Sequence, residues 1–207
     1  MNYFKSRLFW KILLVFALVF TCFGCVSTRN INMENDRGKA VMGLDYRDFQ
    51  EAADEAVMSI ITSPSFKNNG GGRYILAISD IINDTMQRID TDQLVKKIRV
   101  DLLQSGRFMV TTAISAHGKE DAMLDKARNL RTNDEFNQGR VAGKGQMIAP
   151  DFSLSGKIVQ KNVKVDRSTQ QVEYYFQLTL TDIKTGLALW EGEYVVGKRG
   201  SNKSVSW

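Results

Sequence analysis

Histidine, cysteine and proline are scarce in this chain, at one, two and two among 207 residues. His117, the single histidine, cannot supply a two-histidine metal site, and it sits in a polar stretch with no partner residues for a triad. Cys22 and Cys25 stand three positions apart at the end of an apolar run, without the second ligand pair that a zinc site needs. No cysteine follows Cys25, so the folded part is not a disulfide scaffold. Long apolar runs are missing too. Residues 12–24 are almost wholly apolar, but at about 1.5 Å per residue they give roughly 20 Å of helix, short of a hydrocarbon core of about 30 Å.

What is present at the start is Lys5, Arg7 and Lys11, then that apolar run, then Gly24 before Cys25. A basic opening, a short apolar segment and a small residue at a break describe a secretory signal. Phe23-Gly24-Cys25 resembles the lipobox of bacterial lipoproteins, although Cys22 stands where leucine is usual. The resemblance implies that residues 1–24 are a lipoprotein signal peptide and that Cys25 is the lipidation site. Several acyl chains make a lasting anchor where one is marginal. An uncleaved anchor and a plainly secreted form are the alternatives. Val26-Ser27 lacks the aspartate associated with inner-membrane retention, which favours the outer membrane.

Removing residues 1–24 leaves 183, enough for one domain with a sizeable core. The formal net charge of +5 loses three lysines and arginines and falls to +2. A nucleic-acid binder keeps a concentrated basic face, and the body of this chain does not, so nucleic acid is excluded as a partner.

Residues 25–43 are polar and irregular and read as a tether. At about 3.3–3.6 Å per residue it reaches at most roughly 60 Å, and without proline it is flexible rather than a stiff spacer. The globular domain spans residues 44–197. Asp45 is placed as an N-cap, and Tyr46, Phe49, Ala53, Ala56, Val57 and Ile60 recur at helical spacing up to Ser63-Pro64. Residues 68–72 form a loop. A short apolar strand over 74–78, an Asn83-Asp84 turn and a helix near 92–105 follow, with Gly106 as its C′ glycine. Residues 108–112 make a strand, and a polar helix over 119–136 lies loosely on the body. The last third changes to period two: residues 152–158, 172–180 and, after a tight turn at 182–186, 187–196 form a meander. The predicted class is α+β, a mostly antiparallel sheet of four to five strands flanked by helices. Residues 198–207, containing Lys198, Arg199 and Lys203, are read as a basic flexible tail ending in Trp207.

Candidate chemistry is sparse. Asn69-Gly70-Gly71-Gly72 follows a helix and opens a strand, the reverse of a phosphate-binding loop, and reads as a connector. Asp80, Asp84, Asp90 and Asp92 lack the calcium-loop pattern, and turns and caps account for them. Trp190 reads as core. No nucleophile–base pair or poised carboxylate pair is legible. The expectation is a binding protein, not an enzyme, with no cofactor and no metal.

Four blocks carry a family resemblance: YILAISDIINDT at 74–85 followed by Asp90-Thr91-Asp92, LQSGRF at 103–108, DFSLSG at 151–156, and LTLTDIKTG at 178–186 with Leu189-Trp190-Glu191-Gly192. In order and spacing they resemble the LpoB-type outer-membrane lipoproteins that activate penicillin-binding proteins, from Leu44 to the C-terminus. The resemblance implies a fold like the N-terminal domain of TolB. It also implies a lipid-anchored, periplasm-facing monomer that docks on a bifunctional, class A penicillin-binding protein and stimulates peptidoglycan synthesis. The short, proline-free tether departs from the long proline-rich one of the best-known members. A rival role on the same fold is envelope assembly or secretion, as in curli-pore lipoproteins. An enzyme of peptidoglycan cleavage or transfer is the rival of another class.

Overall fold

The computed structural model describes residues 30–33, 38, 40–66, 72–115 and 120–204. The chain divides into two units, Met1–Arg37 and Gly38–Trp207. Of the first, residues 30–33 are described and are exposed. The loop expected at 68–72 lies outside the described residues except for Gly72. Among the described residues no helix is long and apolar enough to cross a membrane.

The second unit opens with α1 (Tyr46–Thr62). Its start is a reciprocal cap: the Asp45 carboxylate accepts from the Arg47 and Asp48 N–H groups, and Asp48 Oδ2 accepts from the Asp45 N–H at 2.7 Å. Donors that the first turn leaves orphaned are thereby satisfied. Ser63, in an extended conformation before Pro64, ends the helix as expected. The buried stripe is Phe49, Ala52, Ala53, Ala56, Val57 and Ile60, so three alanines let the helix approach its neighbours closely.

Next come β1 (Tyr74–Asp84), α2 (Asp92–Gln104) and β2 (Phe108–Val110). β1 is longer than the expected strand, because β3 pairs alongside it as far as Asp84. The expected Asn83-Asp84 turn is therefore strand, and the reversal falls at residues 85–87, closed by Asn83 Nδ2 donating to the Gln87 carbonyl at 2.9 Å. Gly106 has φ 72°, the left-handed C′ position where a side chain would be strained. α3 (Ala122–Asn129) buries no residue, as its polar composition predicts. β3 (Phe152–Lys164), β4 (Thr169–Asp182) and β5 (Ala188–Ser201) complete the sheet.

Five strands run in the order β2-β1-β3-β4-β5. The sheet has five strands and is mostly antiparallel by pairing, in keeping with the expectation, with a parallel part in which β1 runs alongside both β2 and β3. The cause is in the connections. A helix between β1 and β2, and a long excursion between β2 and β3, bring each strand back in the same direction, whereas tight turns reverse it. The antiparallel ladders β3–β4 and β4–β5 are still the longer, at thirteen pairs each against three and seven.

The core lies between the helices and one sheet face. β4 contributes Val172, Tyr174, Phe176, Leu178 and Leu180 in strict alternation, and α2 contributes Leu94, Ile98 and Leu102. Tyr74, Phe108 and Phe152, the first residues of β1, β2 and β3, meet Phe66 or one another with ring centroids 5.4–5.7 Å apart. This aromatic seam fixes where the parallel strands start, at about 0.5–1.5 kcal/mol per ring pair beyond area burial. β5 runs through Ser201, so Lys198 and Arg199 are strand rather than tail, which corrects the expected start of the tail: Lys198 pairs with Val172 and Gly200 with Gln170.

Gly156 faces Leu178 at the irregularity in the β1–β3 register. A Cβ there would strike the Gln177 carbonyl oxygen and come within 2.6 Å of Leu178 Cδ2. Gly156→Ala is expected to destabilise the domain by about 1–3 kcal/mol, lowering the urea midpoint with the slope unchanged. An unaltered midpoint would show that the strands separate without cost.

Candidate partner-binding groove

Cys25, the one site residue that the sequence nominates, lies outside the described residues, as do His117, Asn69, Gly70, Gly71 and Trp207. The structure does place the aspartates. Asp84 pairs with Lys157 at 3.5 Å on the surface, and Asp90 Oδ1 accepts from the Asp92 N–H at 2.9 Å, opening α2. Among the described residues no group of three or more histidines, cysteines and acids could hold a metal. Trp190 is 8% exposed and its indole Nε1 donates to Ser59 Oγ at 3.0 Å, which makes it a pinned core residue.

A groove of about 580 Å³ lies between the first turns of α1 and the outer strand β5. Residues 40–42 contribute to its lining. Two side chains fix that approach segment. Gln87 accepts from the Leu44 N–H at 2.9 Å and donates to the Leu44 carbonyl at 3.2 Å, and Tyr174 donates to the Met42 carbonyl at 3.2 Å.

The groove is organised by charge. Lys198 Nζ, on a side chain 10% exposed, sits 2.5 Å from Asp48 Oδ2 and 3.7 Å from Asp45 Oδ2. Arg47 Nη2 reaches Asp45 Oδ2 at 2.8 Å. Burial opposes ionisation of Asp45, but the hydrogen bond from Arg47 and the charge of Lys198 outweigh it and hold the carboxyl below its ordinary value. Burial, reinforced by the negative Asp48, pushes the Tyr174 hydroxyl up. Farther along, Tyr194 donates to the Glu55 carbonyl at 3.2 Å, and burial raises its hydroxyl as well. Asp45 and Asp48 are thus neutralised by Arg47 and Lys198 at this end of the groove.

Lys198, Asp48 and Gln87 were not nominated from the sequence. The Asp45-x-x-Asp48 spacing carries a capping-box signal that could have found Asp48. Nothing local announces that Lys198 meets it 150 residues later.

Asp45→Ala is expected to cost about 1–2 kcal/mol through the lost cap. Because the folded carboxyl titrates below its ordinary 3.8, its contribution is present above that value and disappears as pH falls through the folded pKa. Urea midpoints measured between pH 7 and pH 2.5 should therefore fall less steeply below pH 4 in the variant. Parallel curves for the two proteins would contradict this account.

The family described as "Peptidoglycan-synthase activator LpoB" matches residues 48–196. Similar solved structures include the LpoB C-terminal domains of Escherichia coli and Salmonella enterica. Each is 13% identical, covers 72% of this chain and 98% of its own, and gives a TM-score of 0.41. The solution structure of E. coli LpoB, also 13% identical, covers 84% of this chain and 81% of its own with a TM-score of 0.36. No curated protein matches by sequence. The family match spans most of the folded domain, and the chain belongs to the LpoB family of peptidoglycan-synthase activators, which are regulators rather than enzymes.

Proposed function

We propose that this protein is a lipid-anchored activator of a bifunctional, class A penicillin-binding protein. The observation that carries the reading is the family match over residues 48–196. In this reading residues 1–24 are removed, Cys25 is acylated, and residues 25–43 tether the domain to the inner leaflet of the outer membrane, facing the periplasm. The order of basic residues, apolar run, Gly24 and Cys25 supports the anchor. The domain acts as a monomer without cofactor, on a scaffold we read as similar to the N-terminal domain of TolB.

Activation is a population shift: the domain binds the active arrangement of the synthase more tightly than the resting one. A differential of about 1–3 kcal/mol corresponds to roughly 5–150-fold. No group on the domain needs to touch the reacting sugars.

The test uses the full lipoprotein in detergent with each class A penicillin-binding protein of the same organism, following conversion of lipid-linked precursor into cross-linked glycan. The rate should rise with one synthase and saturate over the concentrations that saturate binding. Absence of binding to all of them would overturn the reading. Cys25→Ala should abolish incorporation of labelled fatty acid and leave the chain uncut, longer by residues 1–24, while the purified variant still stimulates in detergent. Fatty-acid labelling that persists in the variant would remove Cys25 as the anchor from the account.

A further inference from the structure

Among the described residues β5 is the outermost strand, and along its far side the backbone groups of Ala188–Ser201 have no strand partner there. The groove is lined by six consecutive β5 residues, 194–199. Their side chains alternate between the two faces of the sheet, and a wall made of consecutive strand residues is a wall of backbone. The groove therefore opens on an unpaired strand edge.

The opposite wall is α1. Asp48, Glu51 and Glu55 succeed one another along it at three- and four-residue spacing. Asp48 is taken by Lys198. Glu51 and Glu55 are exposed and, among the described residues, form no side-chain hydrogen bond or ion pair. Two like charges at i, i+4 work against the helix that carries them, and a cation beside them reverses the sign.

We propose that this groove takes an extended segment of the synthase, added as a further strand along residues 194–199, with lysine or arginine at alternate positions facing Glu51 and Glu55. Strand addition supplies main-chain hydrogen bonds, and the side chains of alternate residues supply specificity. The dimensions agree. Glu51 and Glu55 are separated by about 6 Å along the helix, and alternate residues of a strand by about 6.7 Å. α1 also runs roughly along β5, since Asp48 meets Lys198, Glu55 meets Tyr194 and Ser59 meets Trp190. At the end of the groove nearest the α1 start Lys198 and Arg47 are balanced by Asp48 and Asp45, so the carboxylates open to an incoming cation are those of Glu51 and Glu55. This inference rests on the activator reading and gives that reading its contact surface.

The test titrates full lipoprotein against the synthase that it stimulates and follows backbone amide exchange in the complex. Glu51→Lys with Glu55→Lys, both on exposed positions, should weaken binding by about tenfold or more, and Glu51→Gln with Glu55→Gln by less. Amides within residues 194–199 should exchange more slowly in the complex, which a contact through side chains alone would not produce. Unchanged affinity of the charge-reversed protein, or unchanged exchange along β5, overturns the groove and leaves the activator reading standing. A protein that sediments alone as a dimer with those amides already protected assigns the edge to a second copy and also overturns it. No synthase binding by the unaltered protein overturns both readings together.

Discussion

The first helix and the last strand of the domain are registered by polar pins, of which the ion pair between Asp48 and Lys198 is the tightest. The apolar contact sets this register only in part: Phe49 stands edge-on to Phe176 with ring centroids 5.9 Å apart, while the three alanines give close approach without interlocking and leave that stretch some freedom. Three contacts along the helix remove that freedom: Asp48 with Lys198, the Glu55 carbonyl with Tyr194, and Ser59 with Trp190. The first also protects the helix start, because Asp48 caps Asp45 while it holds the lysine. Removing one partner of such a shielded pair leaves a charge uncompensated, which costs more than the pair itself contributes. Burial supplies the energy of association, and the pins decide where it is realised.

The sheet is held by two different devices. Its antiparallel half is specified by alternation: with every second residue of β4 buried, a one-residue slip would turn Tyr174 and Phe176 to solvent. Its parallel half is short, and the aromatic seam around Phe66 takes over the task of fixing register.

That division explains what could be read in the sequence. The period-two runs of β3, β4 and β5 and the helical stripes of α1 and α2 are local patterns, and each was legible, as were the Asp45 cap and the Gly106 terminator. Strand direction was not read out, although a helix between residues 74–84 and 108–110 implies a parallel pair. The basic residues at 198 and 199 looked like a solvated tail because charge normally marks solvent. Here Lys198 alternates with Val196 and Gly200 on the inner face and meets an acid from the other end of the chain. The groove has the same character. It exists because residues 40–42, α1 and β5 converge, and no window of sequence contains all three.

The convergence has a mechanical consequence. The segment that leads back toward Cys25 borders the groove, so a protein docked there would sit beside the point where the tether joins the domain. If residues 25–43 serve as the tether proposed above, pulling on them loads the start of α1 first unless something intervenes. The Gln87 clamp on Leu44 and the Tyr174 bond to Met42 do intervene. They tie the segment to β4 and to the turn after β1 before it reaches Asp45, each hydrogen bond contributing about 0.5–1.5 kcal/mol. A pull on the segment before Met42 therefore meets these bonds before it reaches the Asp45 cap. In the anchored arrangement proposed above, these two ties stand between the anchor and the proposed docking surface.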